Sequence, residues 1–255
     1  MRSALHALLG VTLSVPLAAA QLGCRPEPEP PPGANAPVAW PNAESGANSD
    51  PWLMAHHDEI DVLRPRVLVL NFVDGDTGEQ ARDLSERVIA GLTESSRPRG
   101  YEDPDAPAAL VPELFAIADL RDDAAPGAPR RNSSRYPRED PVEGYWGFDY
   151  EALFSAEFAA AMDQRDPEHP DEGPLDLCTL IDRGLVHEVW IHGDGDTPDV
   201  SAAEILEHKP IYDLDGKPTG EWNRCAGNGC FDEEDEIPCA RTVQKLMLAS
   251  MNISE

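Results

Sequence analysis

The tetrapeptide DGDT occurs twice, at Asp74–Thr77 and at Asp194–Thr197, each time just behind an apolar run. Two carboxylates with a glycine between them suit a hard divalent cation. Ca²⁺ and Mg²⁺ take several oxygen ligands, and glycine lets the backbone bend tightly around them. Asp74, Asp76, Asp194 and Asp196 are therefore the candidate metal ligands, for Ca²⁺ or Mg²⁺. Asp119 and His192 lie at the ends of two further apolar runs and are the candidate ligand-binding neighbours. The same residues have an ordinary use, because Asp and Gly favour strand-to-helix turns. Asp76, with Glu79 three positions on, also has the spacing of a helix cap. Other chemistries lack their signatures: the chain has no GxSxG elbow, no glycine-rich phosphate loop and no dinucleotide fingerprint. His56, His57 and Asp58 are adjacent on a predicted helix, where neighbouring side chains point about 100° apart and do not share an ion easily.

Strands and helices must carry those loops. Val67–Phe72, VLVLNF, is a continuous apolar run, as expected of a strand covered on both faces. A helix follows over Gly78–Thr93, with Ala81, Leu84, Val88 and Leu92 on one stripe. Leu114–Leu120 and Glu188–His192 are the next strands. Helices are predicted over Asp50–Leu63, Asp149–Met162 and Leu175–Leu185, the last opened by Pro174 and closed by Gly184. Ser201 and Glu204 open a short helix, Asp213–Lys217 is a hairpin turn, and Thr242–Met251 is a final strand or helix. This alternation predicts an α/β fold with a three-layer, mainly parallel sheet, and both DGDT loops fall at its carboxyl edge, where such folds bind ligands.

The chain has 255 residues, 41% of them hydrophobic, enough for one sizeable core, assigned to residues 50–255. Residues 1–23 read as a secretory signal peptide, since the apolar run Ala4–Ala20 is too short and interrupted to remain in a membrane. Ala18 and Ala20 fit ordinary cleavage, whereas Leu22, Gly23 and Cys24 resemble a lipobox. Cysteine parity favours the second: with Cys24 acylated, Cys178, Cys225, Cys230 and Cys239 remain for two disulfides in an oxidising compartment. Their connectivity stays open, and they staple an irregular C-terminal excursion. Residues 24–49, rich in Pro, Gly and Ala, form a tether behind the Cys24 lipid anchor. The location is extracytoplasmic, membrane-anchored by lipid or secreted. A net charge of −28 argues against nucleic acid and anionic membrane surfaces as partners, leaving the lipid as the membrane contact. Arg121, Arg130, Arg131, Arg135 and Arg138 form a basic island, read as pairing with nearby Asp and Glu.

RPRVLVLNF, LCTLIDRGLVHEVWI and CARTV resemble segments of an uncharacterised family of secreted bacterial proteins. In that family a VLVxNF strand accompanies a DEVW strand, often beside carbohydrate-associated modules. The resemblance implies a fold. It carries over no functional residue, because relatives follow EVW with a Gly- and aromatic-rich loop where this chain has HGDGDT. Two function classes follow from the sequence. The first is a lipoprotein that binds an extracellular polymer such as a glycan, a cation or an envelope protein. The second is a hydrolase-like enzyme using Asp74, Asp119, His192 and Asp194 as metal or acid/base groups.

Overall fold

The structure, a computed structural model, describes residues 37–45, 50–73, 77–98, 105–121, 149–193, 208–226, 229–230, 237 and 244–249. They belong to one compact unit, Pro37–Glu255. Four strands form a parallel sheet in the order β10-β5-β3-β4: β3 is Arg66–Asn71, β4 Glu113–Asp119, β5 Glu188–Gly193 and β10 Gln244–Ala249. The central place of β3 follows from its composition, since Val67, Leu68, Val69 and Leu70 are all fully buried. Successive side chains of a strand point to opposite faces, and the buried residues of β3 and β5 divide into two clusters. Val67, Val69 and Trp190 pack with Val88, Ile89 and Leu92 of α2 (Gly78–Ser95). Leu68, Leu70, Val189 and Ile191 pack with Phe158 and Met162 of α3 (Ala156–Met162) and with Leu177 and Leu180 of α4 (Leu177–Asp182). The protein is thus α/β with mainly parallel pairing, and Cys225 and Cys230 are joined by a disulfide between the short strands β8 (Cys225–Ala226) and β9 (Gly229–Cys230). Cys178 is disulfide-bonded as well. Cys24 and Cys239 lie outside the described residues.

Several boundaries differ from the sequence reading. The cap of α2 is Thr77, not Asp76: its Oγ1 accepts the Gln80 N–H and Gln80 Oε1 accepts the Thr77 N–H, a reciprocal box one residue later than Asp76 and Glu79 would give. Thr77→Ala is expected to remove about 1 kcal/mol of stability. Urea unfolding at constant m-value checks this, and an unchanged midpoint would assign the cap elsewhere. The first helix, α1, begins at Asp50 but stops at Ala55. Val62–Leu63 are instead a strand, β2, because β1 (Ala39–Trp40) pairs with them in parallel and Leu63 bridges Leu110. Pairing therefore starts ahead of Asp50, inside the segment read as tether. The predicted Asp149–Met162 helix is a 3-10 turn over Glu151–Phe154 followed by α3, restarted where Ser155 Oγ accepts the Phe158 N–H. In α4 Asp176, not Pro174, is the cap and accepts the Thr179 N–H.

The Asp213–Lys217 turn does join two antiparallel strands, β6 (Lys209–Tyr212) and β7 (Pro218–Asn223). Asp213 Oδ1 accepts the N–H groups of Asp215 and Lys217. Gly216 is required there twice over: its φ is 74°, and a Cβ would stand 2.6 Å from the Pro51 carbonyl oxygen. The Ser201–Leu206 helix falls outside the described residues.

Candidate active edge of the sheet

The strand order decides where a ligand would sit. From β3 the chain places β4 on one side, then β5 on the other, so the order reverses between β3 and β5. In open α/β sheets the crevice at the carboxyl ends of such a strand pair is the usual binding place. Asn71 and His192 flank it in register, with Asp119 in register on the far side of Asn71. The Phe72 N–H donates to the His192 carbonyl at 2.9 Å, extending the β3–β5 pairing one step past Asn71. The three side chains follow Val69, Ile117 and Trp190 by two positions, which puts them on the α2 side of the sheet.

Asn71 is fully buried and His192 is 2% exposed. Asn71 Oδ1 accepts the Val73 N–H at 3.1 Å, which turns the chain as it leaves β3. Asp119 is exposed and gripped by Arg121 through Nε and Nη2, both at 2.6 Å. It also lies against the first residue of α2, since a Cβ on Gly78 would be 3.6 Å from Asp119 Oδ2. The positive end of that helix thus faces a carboxylate of the chain itself.

Asp74, Asp76, Asp194 and Asp196 lie outside the described residues. The chain enters the two DGDT segments from Val73 and Gly193, just beyond the paired Asn71 and His192. Among the described residues, no three His, Cys, Asp or Glu side chains converge as a metal cluster. Arg121 bears out local pairing within the basic island, whereas Arg130, Arg131, Arg135 and Arg138 are outside the described residues. His56 stacks on Trp52 and bonds Glu59, and His57 bonds the Met54 carbonyl, so both serve the turn that follows α1.

Sequence reasoning passed over two residues. Asn71 was absorbed into VLVLNF as core, although the lone polar residue at the carboxyl end of an apolar strand is a usable signal. His187 stands at the opposite edge, where its Nδ1 accepts the Arg66 N–H at 3.0 Å and its ring meets Trp40 edge-on at 4.6 Å. Burial, reinforced by the Arg66 charge, lowers its pKa to about 4. No helix among the described residues is long and apolar enough to cross a membrane. No protein-family model matches the chain, nor does any curated protein or solved structure.

Proposed function

We propose that this chain is an extracytoplasmic, lipid-anchored binding protein whose ligand site is the crevice between β3 and β5, with a divalent cation, Ca²⁺ or Mg²⁺, held by Asp74, Asp76, Asp194 and Asp196. One observation supports the reading: Asn71 and His192, which precede the two DGDT segments in sequence, are paired in register on neighbouring strands where strand order reverses. A helix N-terminus at such an edge often receives an anion. Here the Asp119 carboxylate, paired with Arg121, already takes that place, and the four aspartates of the DGDT segments make a cation the expected ligand. Asn71 and Asp119 shape the floor, and His192 supplies an imidazole beside it. The packing of α2 against Val67, Val69 and Trp190, and of α3 and α4 against Leu68 and Ile191, supports a three-layer arrangement. The Cys225–Cys230 disulfide and the bonded Cys178 support an oxidising compartment, consistent with Cys24 as the lipid anchor. An extracellular polymer or envelope protein would be the larger partner docked through the ion.

Full-length protein stripped with EDTA and titrated with CaCl₂ or MgCl₂ tests the reading. At one hundred times Kd a bound ion adds about 2.7 kcal/mol to unfolding. The melting temperature should rise accordingly, and Asp74→Asn with Asp194→Asn should abolish the rise. Melting curves that ignore both ions, or a rise that survives the double substitution, would remove the cation from this site.

A further inference from the structure

At the opposite, amino-terminal edge of the sheet lies a cleft of about 780 Å³, lined by the start of β3, by β4 and by residues of the segments 166–172 and 182–185. That is within the size range of small-ligand sites. Its floor is apolar, formed by Phe115 and Leu185, both packed against the main core. Its walls are ionic, and most of their charge is already matched. Arg183 bonds Asp166 at 2.8 Å and Glu172 at 2.7 Å, and the buried Asp166 also accepts the Glu168 N–H. Asp182 has an interaction of its own, and two charged groups, Arg66 and Glu168, are left over. The Arg66 guanidinium donates Nη1 to the Gly184 carbonyl at 2.8 Å and forms no ion pair among the described residues, which leaves its other N–H donors for a ligand. The Glu168 carboxylate is exposed at the rim and has no ion pair among the described residues either.

A simple anion entering to meet Arg66 would leave the exposed Glu168 carboxylate unmatched at the rim. A simple cation held by Glu168 would leave the Arg66 guanidinium unmatched. A ligand carrying both charges on a small apolar body meets neither objection. We propose that this cleft binds a zwitterionic α-amino acid or short peptide: its carboxylate is held by Arg66, its ammonium by Glu168, and its apolar side chain rests on Phe115 and Leu185. The site is separate from the β3–β5 crevice, so the two readings stand or fall independently.

Calorimetric titration of the full chain with L-leucine and with glycyl-leucine tests the assignment and separates free amino acid from peptide. Binding of either is expected. N-acetyl-leucine and leucine amide, each lacking one charge, should bind at least about tenfold more weakly, the worth of one charge-assisted hydrogen bond. Glu168→Gln should weaken the zwitterion to a similar degree and leave N-acetyl-leucine unaffected. Arg66→Gln should abolish binding of both. Glu168 is exposed and decides the matter alone if the Arg66 variant fails to fold. No heat with either zwitterion at about 10 mM, a range that still detects the weakest useful affinities, would overturn the proposal. Equal affinity for the capped compounds, or a Glu168→Gln protein that binds like the parent, would do the same.

Discussion

Trp190→Ala is expected to cost about 3–5 kcal/mol of unfolding free energy, a large share of what a domain of this size has. Trp190 is 1% exposed and touches the α2 face of the sheet at its middle, with Val67 and Val69 beneath the same helix. Truncation leaves a cavity that neither β3 nor α2 can close, because both are fixed by further contacts. It also strands an acid. Trp190 Nε1 donates to Glu188 Oε2 at 3.0 Å, and that bond partly offsets the burial that raises the Glu188 pKa above its ordinary 4.5. Trp190→Phe keeps most of the volume and deletes only the bond, so it should cost about 1 kcal/mol and raise the Glu188 pKa further. Urea unfolding of the parent and both variants separates packing from hydrogen bonding. If alanine and phenylalanine cost the same, the indole is not a packing centre and the two-sided core is misassigned. Because His192 follows Trp190 by two positions on the same face, the alanine variant should also loosen the β3–β5 crevice and weaken any cation response there.

Acid should destabilise the protein through His187 well before carboxylates titrate in bulk. In the fold this imidazole is held neutral: burial and Arg66 bring its pKa from 6.5 to about 4. The unfolded chain therefore binds more protons between those values, and stability falls as pH drops through the window. The difference is worth about 3 kcal/mol, complete only below pH 4. Geometry gives the same sign. Nδ1 is the acceptor for the Arg66 N–H, so a proton there would set two donors face to face at the junction of β3 and β5. Glu188 works in the other direction, because a raised carboxyl pKa adds stability at low pH that is lost as pH rises past 4.5. Comparing His187→Asn with the parent isolates the histidine contribution, since asparagine can still accept from Arg66. The parent should lose about 3 kcal/mol more than the variant between pH 7 and pH 4. Parallel pH profiles would show that His187 is not kept neutral in the native state.

What the sequence disclosed depended on how local the cause was. VLVLNF announced a strand buried on both faces, and the stripe of α2 announced its helix, because both patterns are written within one element. Caps were harder. Asp76 and Thr77 both carry a suitable oxygen with a Glu or Gln three positions on, and only the reciprocal bonds of Thr77 and Gln80 decide between them. Val62–Leu63 looked like the end of a helix because their partners, Ala39–Trp40 and Leu110, are distant in sequence. The same distance hid the site's geometry. Nothing in EVWIHG says that β5 lies beside β3 rather than beside β4, so Asn71 could not be connected with His192 before the pairing was known. The cleft at Arg66 was hidden for a related reason, since it is assembled from four separated segments.

The β3–β5 pairing also bears on the rate at which the native state is reached. Arg66 and His187 meet across 121 positions, and among the described residues the sheet contains no hairpin that could nucleate it locally. Parallel pairing over such separations folds slowly, because loop closure must precede any gain from contact. Until β5 arrives, one edge of the apolar run Val67–Leu70 lacks its strand partner and resembles a segment prone to intermolecular pairing. Refolding yield should therefore fall steeply with protein concentration, and an emerging chain of this kind would profit from a holding chaperone on β3 until the second half has followed.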